Sequence, residues 1–141
     1  MGKKKYQWYW DFIQKNNKGR HKKTIKKLYN RALRARRQWK KLHNLDKKDT
    51  DKLLKEALGT ECKYCGKEVT AENFSLDHNI PESAGGENKL SNFDVICNKC
   101  NKQKGEMTGK EYKELLDCID NFREEGKKYV LKQLSMHYYY G

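Results

Sequence analysis

Leu76-Asp77-His78-Asn79-Ile80-Pro81, followed by Asn92-Phe93 and then Cys97-Asn98-Lys99-Cys100-Asn101, decides how this 141-residue chain folds. The stretch sets a carboxylate beside an imidazole and ends in a Cys-x-x-Cys pair that runs directly into an amide side chain. An earlier pair, Cys62 and Cys65, completes a set of four thiols. Two such pairs make a tetrahedral thiolate site, which closes the coordination of zinc and leaves it no open position. The 31 residues between Cys65 and Cys97 exceed the usual ribbon spacing, so an insertion lies between the two knuckles. That insertion contains Asp77, His78 and Asn92. A structural zinc on Cys62, Cys65, Cys97 and Cys100 would tie together the base of a loop whose interior carries the candidate chemistry.

Composition explains why such a staple is needed. Leu, Ile, Val and Phe supply 25 of the 141 residues, and the formal net charge is +13. So small an apolar share with so large a charge opposes compaction by a hydrophobic core alone. The five cysteines cannot all pair, and Cys118 is left over from the two Cys-x-x-Cys pairs. No signal peptide or membrane span is expected, because Tyr6 to Ile13 is broken by Gln7 and Asp11. Gly2 does not make a myristoylation site, since Tyr6 stands where Ser or Thr is required. The chain reads as soluble and cytoplasmic, with no membrane partner. In a reducing compartment the cysteine pairs favour metal over disulfides.

The charge is concentrated at one end. Residues 1–60 hold 20 Lys/Arg against 5 Asp/Glu, whereas residues 61–141 hold 12 against 14. Ile25, Leu28, Tyr29, Ala32, Trp39 and Leu42 recur at helical spacing and predict a helix from Arg20 to Leu45. No acid lies between Phe12 and Asp46. An ordinary exposed helix alternates signs, so Arg31, Arg34, Arg36, Arg37, Lys40 and Lys41 read as a surface for a phosphate backbone. Before it, Tyr6, Trp8, Tyr9, Trp10 and Phe12 among lysines are either a short amphipathic segment folding back or a stacking surface for bases. The first reading is preferred.

Further elements are expected in order. A helix over 50–58 is capped by Asp49 and stopped by Gly59, and Gly66 lets the first knuckle turn behind its metal. Strands run from Phe74 to His78 and from Phe93 to Ile96, with a loop over 81–91 marked by Gly85-Gly86. A helix starts around Asn98–Asn101 and ends near Gly105. A capping box at Thr108-Gly109-Lys110-Glu111 opens another, with Tyr112, Leu115, Leu116, Ile119 and Phe122 on one face and Gly126 as its stop. A last short helix spans 128–137, before the tail Tyr138-Tyr139-Tyr140. His21, His43 and His137 have no ligand-spaced companions.

The run from Leu76 through Pro81, Gly85-Gly86-Glu87-Asn88-Lys89-Leu90-Ser91-Asn92-Phe93 and Ile96-Cys97-Asn98-Lys99-Cys100-Asn101-Lys102-Gln103-Lys104-Gly105 closely resembles the HNH endonuclease family. The likeness covers residues 62–105, about a third of the chain. It implies a ββα-metal core: two antiparallel strands and a helix around one catalytic divalent cation. On that resemblance His78 is the general base, Asp77 and Asn101 hold the ion, and Asn92 pins the loop that aims His78. Many family members have His where this chain has Asn101. A neutral amide oxygen suits hard ions such as Mg²⁺ or Mn²⁺ better than zinc. Lys104, one turn beyond Asn101, is a candidate phosphate contact.

Elementary chemistry supports these roles. Phosphodiester hydrolysis needs a deprotonated water in line with the leaving oxygen and positive charge on the phosphate. A neutral imidazole can take the proton from water, and a cation with open positions can stabilise the leaving alkoxide. Adjacent residues of a strand point to opposite faces, so Asp77 and His78 share one site only if the strand is distorted or ends there.

The expected architecture is therefore α+β and mostly helical, a small, treble-clef-like ββα-metal core with a structural four-cysteine zinc, flanked by N- and C-terminal helices. Residues 1–60 form a basic nucleic-acid-binding arm, 61–107 the nuclease core and 108–141 a C-terminal helical extension. The function expected is metal-dependent cleavage of DNA, with RNA also open as a ligand. The alternative is a zinc-stabilised module that binds nucleic acid without cutting it.

Overall fold

The computed structural model describes the backbone from Tyr6 to Tyr140 and side chains as far as Met136. The basic start of the chain and the side chains of the Tyr138–Tyr140 tail lie outside the described residues. Six helices and one two-stranded sheet are described. The chain is α+β and mostly helical. It divides into two compact units, one up to Thr50 and the other from Asp51.

In the first unit, α1 (Gln7–Asn16) packs against α2 (Lys22–His43). Tyr9 and Ile13 of α1 are buried, as are Leu28, Tyr29, Ala32 and Trp39 of α2. The Tyr29 hydroxyl accepts from the Tyr6 amide at 3.1 Å, and Trp10 meets Tyr29 edge-on at 5.3 Å between ring centroids. The aromatic segment therefore packs onto its neighbouring helix. Helix α2 starts where the His21 side chain accepts from the Lys23 amide, and ends at Asn44 in the left-handed conformation (φ 54°). Leu42, placed on the apolar face by its spacing, is 64% exposed. By that position the helix is ending, and Trp39 and Leu45 supply the buried contacts.

Helix α3 (Lys47–Ala57) begins three residues before the expected start. Its cap is Asp46, whose Oδ1 accepts from the Asp49 amide at 2.8 Å; Asp49, expected to cap, lies in the first turn.

In the second unit, the first cysteine knuckle closes with the Gly66 amide donating to the Cys62 carbonyl at 3.0 Å, at a Gly66 φ of 77°. Strand β1 (Phe74–His78) pairs antiparallel with β2 (Phe93–Cys97), in the register Phe74 with Cys97, Asp77 with Asp94 and His78 with Phe93. Helix α4 (Asn98–Lys104) follows β2 directly and packs on both strands. Ser75 and Asp77 share one face of β1, as the period of two requires, and this face meets α4.

Helix α5 (Gly109–Ile119) opens with the expected capping box, Thr108 accepting from the Glu111 amide and Glu111 from the Thr108 amide. It ends at Asp120-Asn121, short of Phe122, which is 48% exposed. Gly126 stops nothing, because it lies inside α6 (Glu124–Tyr140), which packs on α4. Asp and Asn, which favour turns by bonding nearby backbone, break the run before glycine is reached. No described helix is long and apolar enough to cross a membrane.

Candidate active site

Asp77 reaches α4 because it sits two residues beyond Ser75 on one strand face, while Asn101 and Lys104 sit three apart on one helix face. The Asn101 Nδ2 donates to Ser75 Oγ at 2.6 Å and to the Leu76 carbonyl at 3.3 Å. Both donations hold the amide nitrogen against the strand, which leaves its oxygen as the group a cation can use. Asp77 is 4% exposed, and its Oδ1 takes a 3.0 Å bond from Lys104 Nζ. Lys104 also donates to the His78 carbonyl at 2.8 Å. Burial pushes the Asp77 carboxyl above its usual range, against the opposing pull of Lys104. The second carboxylate oxygen, Oδ2, is buried with no hydrogen bond. A buried acceptor without a donor is costly unless something else satisfies it.

A hard divalent ion suits that oxygen: it needs oxygen ligands, and Asp77 Oδ2 and the Asn101 amide oxygen are donors of the type required. Lys104 is therefore no phosphate contact. It is 1% exposed and tied to Asp77 and to the backbone of β1.

β1 stays paired up to His78 and ends there, the second of the two conditions under which Asp77 and His78 can serve one site. The His78 ring lies 4.6 Å from that of Phe93. Its Nε2 lies 2.9 Å from Asn88 Oδ1 and 3.5 Å from Glu82 Oε1. An imidazole protonated on Nε2 would donate to these two oxygens.

The loop after β1 is fixed by Asn92. Its Oδ1 accepts from the Ile80 amide at 2.9 Å, and its Nδ2 donates to the carbonyls of Ile80 (3.0 Å) and Glu87 (2.9 Å). Within the loop, the Gly86 amide donates to the Pro81 carbonyl, and a Cβ on Gly86 would overlap the Ile80 carbonyl. This close approach is why glycine stands there.

Sequence reasoning missed two side chains and one ion pair around these residues. Ser75 was findable, since a residue two before Asp77 must share its strand face. Asn88 carries no spacing signal, because only the folded loop brings it to His78. The pairing of Lys63 with Asp94 at 2.9 Å joins a knuckle to β2 and depends on tertiary structure.

The sulfur atoms of Cys62, Cys65, Cys97 and Cys100 all lie within 4.8 Å of one another. A zinc tetrahedron with bonds of about 2.3 Å has sulfur–sulfur edges of about 3.8 Å, so this cluster could hold a metal ion of that kind. The Cys100 thiol, donating to Cys62, lowers Cys62 to about 4. Burial pushes Cys97 up to about 11. Four crowded thiols cannot all ionise without a cation between them.

The predicted nucleic-acid contacts separate by exposure. Arg34, Arg37, Lys40 and Lys41 of α2 are exposed, and Arg31 is half-buried. Arg36 belongs to the inward face: it is 6% exposed, with its guanidinium carbon 3.0 Å from the centre of the Tyr6 ring. At 3.6 residues per turn, Arg36 falls in line with Ala32 and Trp39 and away from Arg34 and Arg37.

Two strands, a helix packed on them and a cysteine cluster that could hold a metal ion make a small ββα core, with an Asp-His pair at the strand end. Residues 62–116 match the family model described as HNH endonuclease. Over 46 residues the chain is 37% identical to the CRISPR-associated endonuclease Cas9 of Corynebacterium diphtheriae, a match covering 32% of this chain and 4% of that protein. The crystal structure of the type II-C Cas9 enzyme from Actinomyces naeslundii aligns with 82% of this chain and 16% of its own, at 20% identity and a TM-score of 0.40. The chain thus spans only a small part of either relative.

Proposed function

We propose that this chain hydrolyses phosphodiester bonds of DNA, with His78 as general base and a divalent cation held by Asp77 and Asn101. The observation that carries the proposal is Asp77 Oδ2, a buried acceptor with no hydrogen bond, on the strand face that meets Asn101 and one residue from an oriented imidazole. Mg²⁺ or Mn²⁺ bound there would place positive charge on the phosphate and the leaving oxygen. His78 takes the proton of the attacking water at a ring nitrogen, while Asn88 and Glu82 hold the ring. Asn92 holds the loop that carries Asn88 and so fixes the direction of the ring. Zinc on the four cysteines fastens the knuckles at the base of this loop, and residues 61–107 form the cutting core.

The cations of α2 that face away from α1 grip the substrate without reading its sequence. Lys22, Lys23, Lys26, Lys27, Arg34, Arg37, Lys40 and Lys41 fall within about 140° of the helix circumference, counted at 3.6 residues per turn. No acid interrupts them. Such a stripe matches a phosphate backbone and releases its counterions on binding.

The test is nicking of supercoiled plasmid with Mg²⁺ or Mn²⁺ against EDTA, for the wild type and His78→Ala. Metal-dependent nicking that falls by about a hundredfold or more in the variant is expected. A wild type that retards plasmid in a gel yet never cuts it with either metal would instead be a binding module.

A further inference from the structure

Lys104 has no part in the scheme above, yet it is among the most buried side chains and sits on the carboxylate assigned to the cation. A strut between α4 and β1 would account for its bond to the His78 carbonyl. It does not account for an ammonium on one oxygen of Asp77 while the other oxygen has no hydrogen bond. The charges on this face cancel. Asp77 is balanced by Lys104 at 3.0 Å, its cross-strand neighbour Asp94 by Lys63 at 2.9 Å, and Asn101 is neutral. Affinity for hard divalent ions rises with the number of uncompensated carboxylates, and a fixed ammonium a few ångströms away repels a second cation.

We propose that Lys104 holds the divalent-ion affinity of the Asp77 site low, so that the site gains appreciable affinity only when a substrate phosphate adds negative charge. This rests on the reading of Asp77 as a metal ligand. Affinity of the chain alone is then on the order of millimolar. By linkage, metal and nucleic acid raise each other's affinity by the same factor. A chain poised in this way carries no ion where it has nothing to cut.

The test is a titration of the zinc-loaded chain with Mn²⁺, following the paramagnetic resonance of the free ion. The wild type, Lys104→Gln, Lys104→Met and Asp77→Asn are compared, with dichroism and zinc content as checks of folding. Removing the ammonium should tighten Mn²⁺ binding about tenfold or more, and Asp77→Asn should abolish it. A second measurement needs no variant: an uncleavable phosphorothioate duplex should tighten Mn²⁺ binding to the wild type by a comparable factor. Unchanged affinity in folded Lys104 variants, or in the wild type with duplex, overturns the proposal while leaving Asp77 as ligand. Mn²⁺ binding that survives Asp77→Asn overturns the underlying assignment as well.

Discussion

Asn92 commits its whole side chain to the loop it closes, one acceptance and two donations across the 80–92 segment. Asn92→Ala removes all three bonds, and at about 0.5–1.5 kcal/mol for each the fold should lose about 1.5–4.5 kcal/mol, read as a lower melting temperature. Asn92→Asp keeps the acceptance from Ile80 but sets a carboxylate oxygen against the carbonyls of Ile80 and Glu87, so it should lose at least as much stability as Asn92→Ala. A melting temperature of Asn92→Asp near the wild type's would mean that the two donations contribute nothing. Lys104 and Asp77 pose a different problem: cutting one partner from a buried ion pair costs about 3–5 kcal/mol, because the other is left charged and alone. At this scale the sequence was informative about chemistry and poor on contacts. Residue types and spacing singled out Asp77, His78, Asn92 and Asn101, but Lys104 looked like any lysine on a helix and Arg36 like its exposed neighbours. A side chain's partner depends on which element packs above it, and spacing along one element carries no such information.

Among the elements, the most legible were those whose ends carry their own chemistry. The capping box of α5 stands where Thr108 and Glu111 place it, and β1 and β2 lie where runs of β-forming residues meet polar loops. Thr108→Ala should cost about 1 kcal/mol, measured by thermal melting; no change would mean the helix is held by packing alone. The elements misread were those where two signals compete. At the end of α5, Asp120-Asn121 breaks the helix before Gly126 has a chance to, and at the start of α3, Asp46 caps ahead of Asp49. Gly86→Ala tests the loop itself: the added methyl meets the Ile80 carbonyl, so the variant should shift the loop and lower the nicking rate.

For the whole molecule, the skewed charge has a local cause, since one face of α2 holds much of it. Replacing Arg34, Arg37 and Lys41 by Gln should weaken DNA binding equally across sequences. The slope of log affinity against log salt should drop by about three; an unchanged slope would remove α2 from the interface. With so low an apolar content, the cysteine cluster, which could hold a metal ion, is the expected staple. Chelating its metal should unfold residues 61–105, because a core this small needs the staple, and a retained cooperative melt after chelation would contradict that. Composition was silent on where the packing boundary falls, which is near Thr50 within α3. The most direct test of the account is anomalous diffraction from a crystal soaked in Mn²⁺ with an uncleavable duplex. The account predicts a single manganese peak bonded to Asp77 Oδ2 and the Asn101 amide oxygen. A peak elsewhere, with Asp77 still bound only by Lys104, would contradict it.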